Sequence, residues 1–118
     1  MKQPWWRNFF SYFREIELER VSTELNPLLV VSYSRGSYQL STEKAIYSFS
    51  EKYDNFYDTF AQMDISKFRE KSVLILGFGL GSIPIILEKD LEFSASFTAV
   101  ELDEAVVGLY QKYIADEI

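Results

Sequence analysis

Three glycines and one acidic residue have the types and spacing of a nucleoside-binding site. Gly77, Gly79 and Gly81 directly follow an apolar strand candidate, residues 73–76, and precede an apolar helical segment. Such a turn lets backbone N–H groups approach a ligand, and the helix N-terminus favours an anionic group. Glu101 ends the next strand candidate, twenty positions after Gly81, where an acid accepts hydrogen bonds from ribose hydroxyls. The pattern predicts a site for an adenosine-containing ligand; the alternative is a glycine-rich turn with an unrelated acid.

The spacing of the glycines also separates classes of nucleotide. A dinucleotide-binding turn, G-x-G-x-x-G/A, needs Gly or Ala at position 82. This chain has Ser82 there, and its third glycine comes one residue earlier. We expect Ser82 to act as the N-cap of the following helix. An NAD-binding domain is therefore disfavoured but stays an alternative.

The longer string VLILGFGLGS…FTAVELDEAVV resembles the spermidine synthase (polyamine aminopropyltransferase) branch of the class I S-adenosylmethionine-dependent methyltransferases. That branch typically has V-L-I-I-G-G-G-D-G followed by V-E-I-D and a valine pair, which correspond here to residues 73–81, 100–103 and 106–107. The resemblance extends over residues 26 to 113. It implies a small β-domain before a Rossmann-like fold, with S-adenosylmethionine or its decarboxylated form as the cofactor. The three glycines would hold the amino-acid part of that cofactor, and Glu101 would bind its ribose.

The resemblance is weaker where the family binds its amine. Leu80 stands where the family has an Asp within the glycine loop, Ser48 stands for a Gln, and Tyr53 for the first of two acids. Asp54 matches the second acid, and Tyr57 matches a family Tyr, which makes Tyr57 a candidate substrate-binding residue. Helical spacing alone explains Tyr53 as a packing residue. For Tyr57 it leaves two roles open, packing and substrate binding. Loss of the amine ligands favours methyl transfer over aminopropyl transfer.

The length of the chain limits how much of such an enzyme it can contain. From Ser72 onward 47 residues remain, which suffices for two β-α units. A full methyltransferase-like fold needs about six or seven strands, and each parallel connection needs a crossover. The resemblance places the family's adenine contacts and catalytic Asp beyond Ile118. We therefore assign no catalytic residue, and we expect an N-terminal part of a longer transferase that is inactive by itself.

Composition excludes several other chemistries. The chain has no Cys and no His, which removes disulfides, thiolate and Ser-His-Asp catalysis, and His-ligated zinc, and no metal ligand is assigned. Its net charge of -6 disfavours nucleic acid as a partner. No apolar run reaches the length of a bilayer span, and no signal peptide is recognised. These features predict a cytoplasmic protein without a membrane partner that acts on a small molecule of unknown identity.

The elements that must position the site form two predicted domains, residues 1–66 and 67–118, of an α/β (α+β overall) fold. An aromatic helix at residues 4–13, with a stripe of Trp6, Phe9, Phe10 and Phe13, is expected to pack on an antiparallel sheet of three or four strands; a helix at a membrane surface is the alternative. A hairpin turn is expected at Arg35-Gly36. A linking helix at residues 51–64 precedes two parallel strands, which are expected to be buried on both faces. Because such a partial sheet leaves an open edge, we expect a homo-oligomer, dimer or tetramer. A non-catalytic oligomerisation module is the rival function.

Overall fold

Residues 1–43, 45–49, 52–68 and 72–115 are described in the computed structural model of the chain. The first half contains, in chain order, α1 (Trp5–Ser11), β1 (Ile16–Val21), β2 (Leu29–Ser34), β3 (Ser37–Ser41), β4 (Ile46–Ser48), α2 (Asp54–Gln62) and a 3₁₀ turn (Ile65–Phe68). The second half contains β5 (Ser72–Leu76), α3 (Ser82–Ile85) with a π-helical extension (Ile86–Asp90), β6 (Ser96–Val100) and α4 (Glu104–Tyr113).

The first four strands form one antiparallel sheet in the order β1-β2-β3-β4. A two-residue turn joins β2 to β3, with φ of 49° at Arg35 and 76° at Gly36. Positive φ at both positions is the type I′ geometry that matches the twist of paired strands. The predicted sheet and its hairpin turn are therefore confirmed.

The last two strands form a separate parallel pair, in register from Ser72 opposite Ser96 to Leu76 opposite Val100. α3 and its π-helical extension make the crossover between them, as parallel neighbours require. The chain is thus a mixed α/β protein with a four-stranded antiparallel sheet and a two-stranded parallel sheet.

One hydrophobic core joins the two halves. Leu29, Val31 and Leu40 of the antiparallel sheet pack in the same cluster as Ile85 of α3 and Leu109 of α4. Since this cluster includes residues from both sides of position 66, the predicted boundary between domains runs through a shared core. The face of the antiparallel sheet is covered by the helices of the parallel unit.

The aromatic stripe of α1 does not pack on the sheet, so that prediction is wrong. The exposed fractions along the stripe are 46% at Trp6, 57% at Phe9, 55% at Phe10 and 75% at Phe13. The buried residue of α1 is instead Ser11, whose carbonyl accepts a hydrogen bond from the Arg35 N–H at 2.9 Å and whose hydroxyl accepts one from the Gly36 N–H at 3.0 Å. Helical spacing correctly predicts a continuous aromatic face, but hydrogen bonds from the opposite side attach the helix to the hairpin.

The expectation that both faces of the parallel strands are buried is also wrong. Ile75 is buried, whereas Leu74 and Leu76 are 62% and 76% exposed, and Val100 beside them is 53% exposed. Side chains alternate between faces along a strand, so one face meets the core and the other lies open. Among the described residues no helix covers the open face. No helix within the described residues is both long enough and apolar enough to cross a bilayer.

Candidate functional site

The glycine loop begins where β5 ends. Gly77 has φ of 82°, and its N–H donates to the Val100 carbonyl at 2.8 Å, which extends the pairing of the parallel strands by one step. A Cβ added at Gly77 would meet nothing within 4 Å. The position therefore needs glycine for its backbone conformation and leaves open space beside the loop.

The other two glycines also have positive φ, 58° at Gly79 and 81° at Gly81, and lie close to neighbouring groups of the protein. A Cβ at Gly79 would lie 3.2 Å from the Cβ of Ser48 in β4, and one at Gly81 would lie 3.0 Å from the Phe78 ring. We expected the second glycine to admit a ligand to the loop backbone. In this structure the element that approaches Gly79 is β4, and the open position is Gly77.

The carboxylate of Glu101 lies against the glycine loop. Its Oε2 accepts hydrogen bonds from the N–H groups of Phe78 at 2.9 Å and Gly79 at 3.2 Å, and its Oε1 accepts one from the Asp103 N–H at 3.3 Å. An ionised carboxylate has about four acceptor positions. One position on Oε1 is therefore uncommitted and available to an external hydroxyl.

Two buried serines join the loop to the antiparallel sheet. The hydroxyls of Ser48 and Ser82 are 2.8 Å apart; Ser48 accepts from the Leu80 N–H at 3.2 Å, and Ser82 accepts from the Phe49 N–H at 3.0 Å. Gly81 is the N-cap of α3, and Ser82 is the first residue of this helix. No side-chain hydrogen bond caps the helix. The expectation that Ser82 caps the helix is wrong, because its hydroxyl instead forms hydrogen bonds with the Ser48 hydroxyl and the Phe49 N–H at the end of β4.

Asp103 connects the site to the loop between β1 and β2. Its Oδ2 accepts hydrogen bonds from the Thr23 hydroxyl at 2.6 Å and the Asn26 side-chain amide at 2.7 Å, while Oδ1 caps α4 by accepting from the Ala105 N–H at 3.0 Å. These bonds, that from Thr23 first, lower the pKa of the buried Asp103 carboxyl. The ionised Asp103 thus fixes the 23–26 loop at the edge of the site.

A second polar tie joins β1 to the end of α4. Glu19 Oε1 accepts from Lys112 Nζ at 2.5 Å and from the Tyr113 hydroxyl at 2.7 Å. The hydrogen bond from Lys112, followed by that from Tyr113, lowers the pKa of Glu19. The hydrogen bond to Glu19 raises the pKa of Lys112. For Tyr113, burial first and then its own hydrogen bond to Glu19 raise the pKa of the hydroxyl.

A cleft of about 430 Å³ opens beside the glycine loop. Its lining combines the predicted Gly77, Gly79 and Glu101 with side chains of both sheets: Leu25, Asn26, Leu40, Tyr47, Leu102, Asp103 and Val106. Gly81 belongs to the loop but is buried at the start of α3 and does not line this cleft. The sequence pattern missed Asn26 and Tyr47; Asn26 precedes Pro27, and such a pair by itself indicates only the boundary of a strand.

The residues of the amine-binding resemblance lie apart from this cleft. Tyr57 is on α2, 38% exposed, and is not among the described residues that line the cleft. The Tyr53 hydroxyl donates to the Ile46 carbonyl at 3.1 Å. Leu80 is 1% exposed and belongs to the hydrophobic core. The side chain of Asp54 lies outside the described part of the structure.

Comparisons with protein-family models, with curated proteins and with solved structures found no match to this chain. Within the described residues, no group of three or more acidic side chains could hold a metal ion.

Proposed function

We propose that this chain is the N-terminal part of an S-adenosylmethionine-dependent transferase that resembles spermidine synthase, and that β5 to α4 form the first half of a Rossmann-like fold. The observation that carries the proposal is the Glu101 carboxylate, which lies against the glycine loop at the carboxyl ends of β5 and β6 and lines the adjoining cleft. In open α/β sheets, ligands bind at this end of the strands. The net charge of -6 supports a small-molecule rather than a nucleic-acid partner.

The cleft fits part of such a cofactor. Its volume of about 430 Å³ falls within the usual range for small-ligand sites, and the space beside Gly77 is open, since a Cβ there would meet nothing within 4 Å. The uncommitted acceptor position of Glu101 suits a ribose hydroxyl. Leu102, which is largely exposed at the edge of the cleft, offers apolar surface to a base. The sulfonium, when bound, activates the carbon to be transferred; the residues of this chain bind and orient.

The same geometry disfavours a dinucleotide. The N–H groups of Phe78 and Gly79 already donate to the Glu101 carboxylate. A pyrophosphate that sought these donors would face a fixed negative charge, whereas a ribose hydroxyl donates to it. The carboxylate therefore disfavours a pyrophosphate at this turn, while ribose hydroxyls that it could accept from occur in both kinds of ligand.

The environment of residue 80 supports methyl transfer over aminopropyl transfer. The family Asp at this position holds an amine, but here Leu80 is packed among Leu40, Ile85 and Leu109 in the core. A charged side chain at this position would be buried without a partner. The acceptor substrate must be held by other groups.

Titration of the 118-residue chain with S-adenosylmethionine, followed by ¹H–¹⁵N NMR, tests the proposal. Because this chain supplies only part of a pocket, we expect a dissociation constant no tighter than about millimolar. Backbone amides of Gly77, Phe78, Gly79 and Leu102 should shift, and no cofactor turnover should accompany binding. NAD should leave these amides unshifted at the same concentration.

Glu101→Gln is the decisive variant, because its amide oxygen still accepts from the loop N–H groups while the charge is lost. Charge-assisted hydrogen bonds are about twice as strong as neutral ones, so binding should weaken about tenfold. Glu104→Gln, an exposed acid in the next helix, is the matched control and should bind as the wild type does. Equal binding by Glu101→Gln, or shifts confined to other surfaces, would remove Glu101 from the site.

A second candidate function, an assembly module, is favoured by the open apolar surfaces. The aromatic face of α1 and the outer face of β5 and β6 are both largely exposed. Large bare apolar patches are rare on monomers, and unpaired strand edges invite association. We expect a closed dimer or tetramer of this chain by light scattering at low micromolar concentration. A mass near 13.8 kDa would contradict this candidate.

A further inference from the structure

The aromatic face of α1 is a group of exposed rings on and just after this helix: Trp5, Trp6, Phe9, Phe10, Tyr12 and Phe13. Within the described residues, none of these rings belongs to the hydrophobic core cluster or lines the glycine-loop cleft. The centroid of the Phe9 ring lies 5.5 Å from that of Phe10 and 5.3 Å from that of Phe13. These rings are therefore packed against one another while they stay open to solvent.

The opposite side of α1 is fixed to the β2–β3 hairpin by polar contacts. Ser11 accepts the hydrogen bonds from the N–H groups of Arg35 and Gly36 described above. The Oδ1 of Asn8 accepts a hydrogen bond from the Tyr33 hydroxyl at 3.3 Å. A Cβ added at Gly36 would lie 3.1 Å from that Oδ1, so the hairpin approaches the helix closely. Because the sheet holds the polar side of α1, the aromatic side is directed away from the sheet.

Two arginines border the aromatic face of α1. Arg7 and Arg14 are separated by about two helical turns, and the Arg14 N–H donates to the Phe10 carbonyl at 3.0 Å, which continues the helical turn. The Arg7 guanidinium lies 5.1 Å from the centroid of the Trp6 ring and donates to the neutral Gln3 Oε1 at 2.7 Å. No acid among the described residues forms an ion pair with either arginine. Both guanidinium groups can therefore meet an anion at the border of the aromatic face.

The segment that contains this face differs in charge from the rest of the chain. Its first fourteen residues include three cations and no acid, although the whole chain has a net charge of -6. The acids that follow are engaged by the fold. Glu15 Oε1 accepts hydrogen bonds from the Ser32 hydroxyl at 2.6 Å and the Gln39 amide at 2.8 Å, and Glu17 pairs with Arg20. Exposed aromatic rings and cations thus coincide on one short segment.

We propose that α1 binds the surface of an anionic phospholipid membrane, with its axis in the membrane plane and its aromatic face at the boundary of headgroups and acyl chains. A helix with Trp and Phe on one side and arginine at the border has the features of an interfacial helix. Trp favours this boundary because its ring is apolar and its N–H is polar. Arginine places its stem against apolar groups and its charge among lipid phosphates. The proposal is independent of the nucleoside site at the glycine loop.

A second copy of the chain fits the aromatic face less well than a lipid surface does. Two α1 helices packed across a two-fold axis would present the same groups to each other, so the arginines of both copies would repel. A contact between α1 of one copy and the outer face of β5 and β6 of another joins unlike patches, which close into a ring only at particular rotations and otherwise form filaments. A membrane has neither restriction, and its anionic headgroups attract the arginines. This leaves the outer face of β5 and β6 for contact between copies.

Intrinsic fluorescence tests the proposal, because both tryptophans of the chain, Trp5 and Trp6, are in α1. Vesicles of phosphatidylcholine and phosphatidylglycerol in equal parts should shift the emission of the 118-residue chain to shorter wavelength. Lipids brominated on their acyl chains should quench this emission. Vesicles of phosphatidylcholine alone should bind more weakly, and added salt should weaken binding to the mixed vesicles. An unshifted emission with the mixed vesicles would overturn the proposal, as would a shift that grows with protein concentration before any vesicles are added.

Variants of exposed apolar residues separate the aromatic face from apolar surface in general. The double variant Phe9→Ser with Phe13→Ser should weaken binding to the mixed vesicles at least about tenfold. Because both rings are exposed, its thermal midpoint should stay that of the wild type. Leu74→Ser removes an exposed side chain from the outer face of β5 and should leave vesicle binding unchanged. Unchanged binding in the double variant, or an equal loss in Leu74→Ser, would overturn the proposal.

A second pair of variants tests the charge at the border of the face. Arg14→Gln should weaken binding to the mixed vesicles about fivefold and leave binding to phosphatidylcholine alone unchanged. Arg20→Gln removes the same charge from β1, where the arginine is exposed and paired with Glu17, and should bind both kinds of vesicle as the wild type does. Equal losses in the two variants would mean attraction by the charge of the whole chain and would overturn the placement of α1 at the membrane.

Discussion

The antiparallel and parallel sheets of this protein both contain strands rich in apolar residues, but only one of them is enclosed. Leu29 and Val31 of β2 are fully buried, whereas Leu74 and Leu76 of β5 are mostly exposed. The antiparallel sheet shares its core with α3 and α4, whereas the described core cluster includes no residue of β5 or β6. The apolar content of a strand therefore indicates which surfaces favour burial, while the layers actually present determine which surfaces are buried.

The largest effect expected from this comparison concerns matched leucines in the two sheets. Leu29→Ala should lower the free energy of unfolding by about 2–5 kcal/mol, because it removes contacts from a fully buried position. Leu76→Ala should change it by no more than about 0.5 kcal/mol, because the side chain is already in water. Urea denaturation of both variants at several protein concentrations measures the difference.

The outcome also distinguishes a bare face from a covered one. A comparable loss in Leu76→Ala that grows with protein concentration would mean that a second copy buries β5. A comparable loss at all concentrations would contradict the open face itself.

A smaller effect is expected at the junction of the two regions. Asp103→Ala removes the N-cap of α4 and both hydrogen bonds to the 23–26 loop, so unfolding should require about 2 kcal/mol less. Glu104→Ala, one residue further along, removes an exposed acid and should cost little. Equal stability of the two variants in thermal unfolding would show that Asp103 does not join the regions.

The smallest effect is a pH dependence of the same junction. The pKa values of Asp103 and Glu19 are lowered in the folded chain, so their stabilisation is complete above their unfolded pKa values of about 4 and is lost as pH falls through the folded values. The pKa values of Lys112 and Tyr113 are raised in the folded chain. The stabilisation from these two groups is therefore present below about pH 10 and is lost as pH rises further. Urea midpoints should therefore be highest between these limits.

Glu19→Gln sharpens this test because Glu19 contributes to both the acidic and the alkaline limit of stability: its own pKa is lowered, and it is the partner of Lys112 and Tyr113. The variant should have a lower urea midpoint near neutral pH and a shallower decline at both acidic and alkaline pH. Glu17→Gln, which removes from the same strand a carboxylate that pairs with the exposed Arg20, is the control. A parallel pH profile in wild type and Glu19→Gln would contradict the role of this tie.

Local features of the fold followed from the sequence because local chemistry determines them. The type I′ turn at Arg35-Gly36 and the positive φ of Gly77 are set by a few neighbouring residues. The position of Glu101 at the end of β6 followed from counting residues after the glycines. The hydrogen bonds that Glu101 makes with the loop did not, since spacing places an acid at a strand end without fixing its rotamer.

Contacts distant in sequence were outside the reach of such patterns. Asn26 and Asp103 are 77 positions apart, and nothing local in either segment indicates the other. Ser82 has the residue type and position of an N-cap, but its hydroxyl bonds instead to Ser48 of β4 and to the Phe49 N–H. The stripe on α1 showed a similar limit, because periodicity defines an apolar face without specifying what it meets.

The sequence separations within the β2–β3 hairpin and across the junction have a consequence for the order of folding. A hairpin with a two-residue turn forms on a scale of about 1–10 μs, because almost no chain must be closed. The bonds of Asp103 and Glu19 close loops of 77 to 94 residues, which costs more chain entropy and delays them. Since the glycine-loop cleft exists only after those loops close, a ligand there would bind only fully assembled molecules and slow their unfolding.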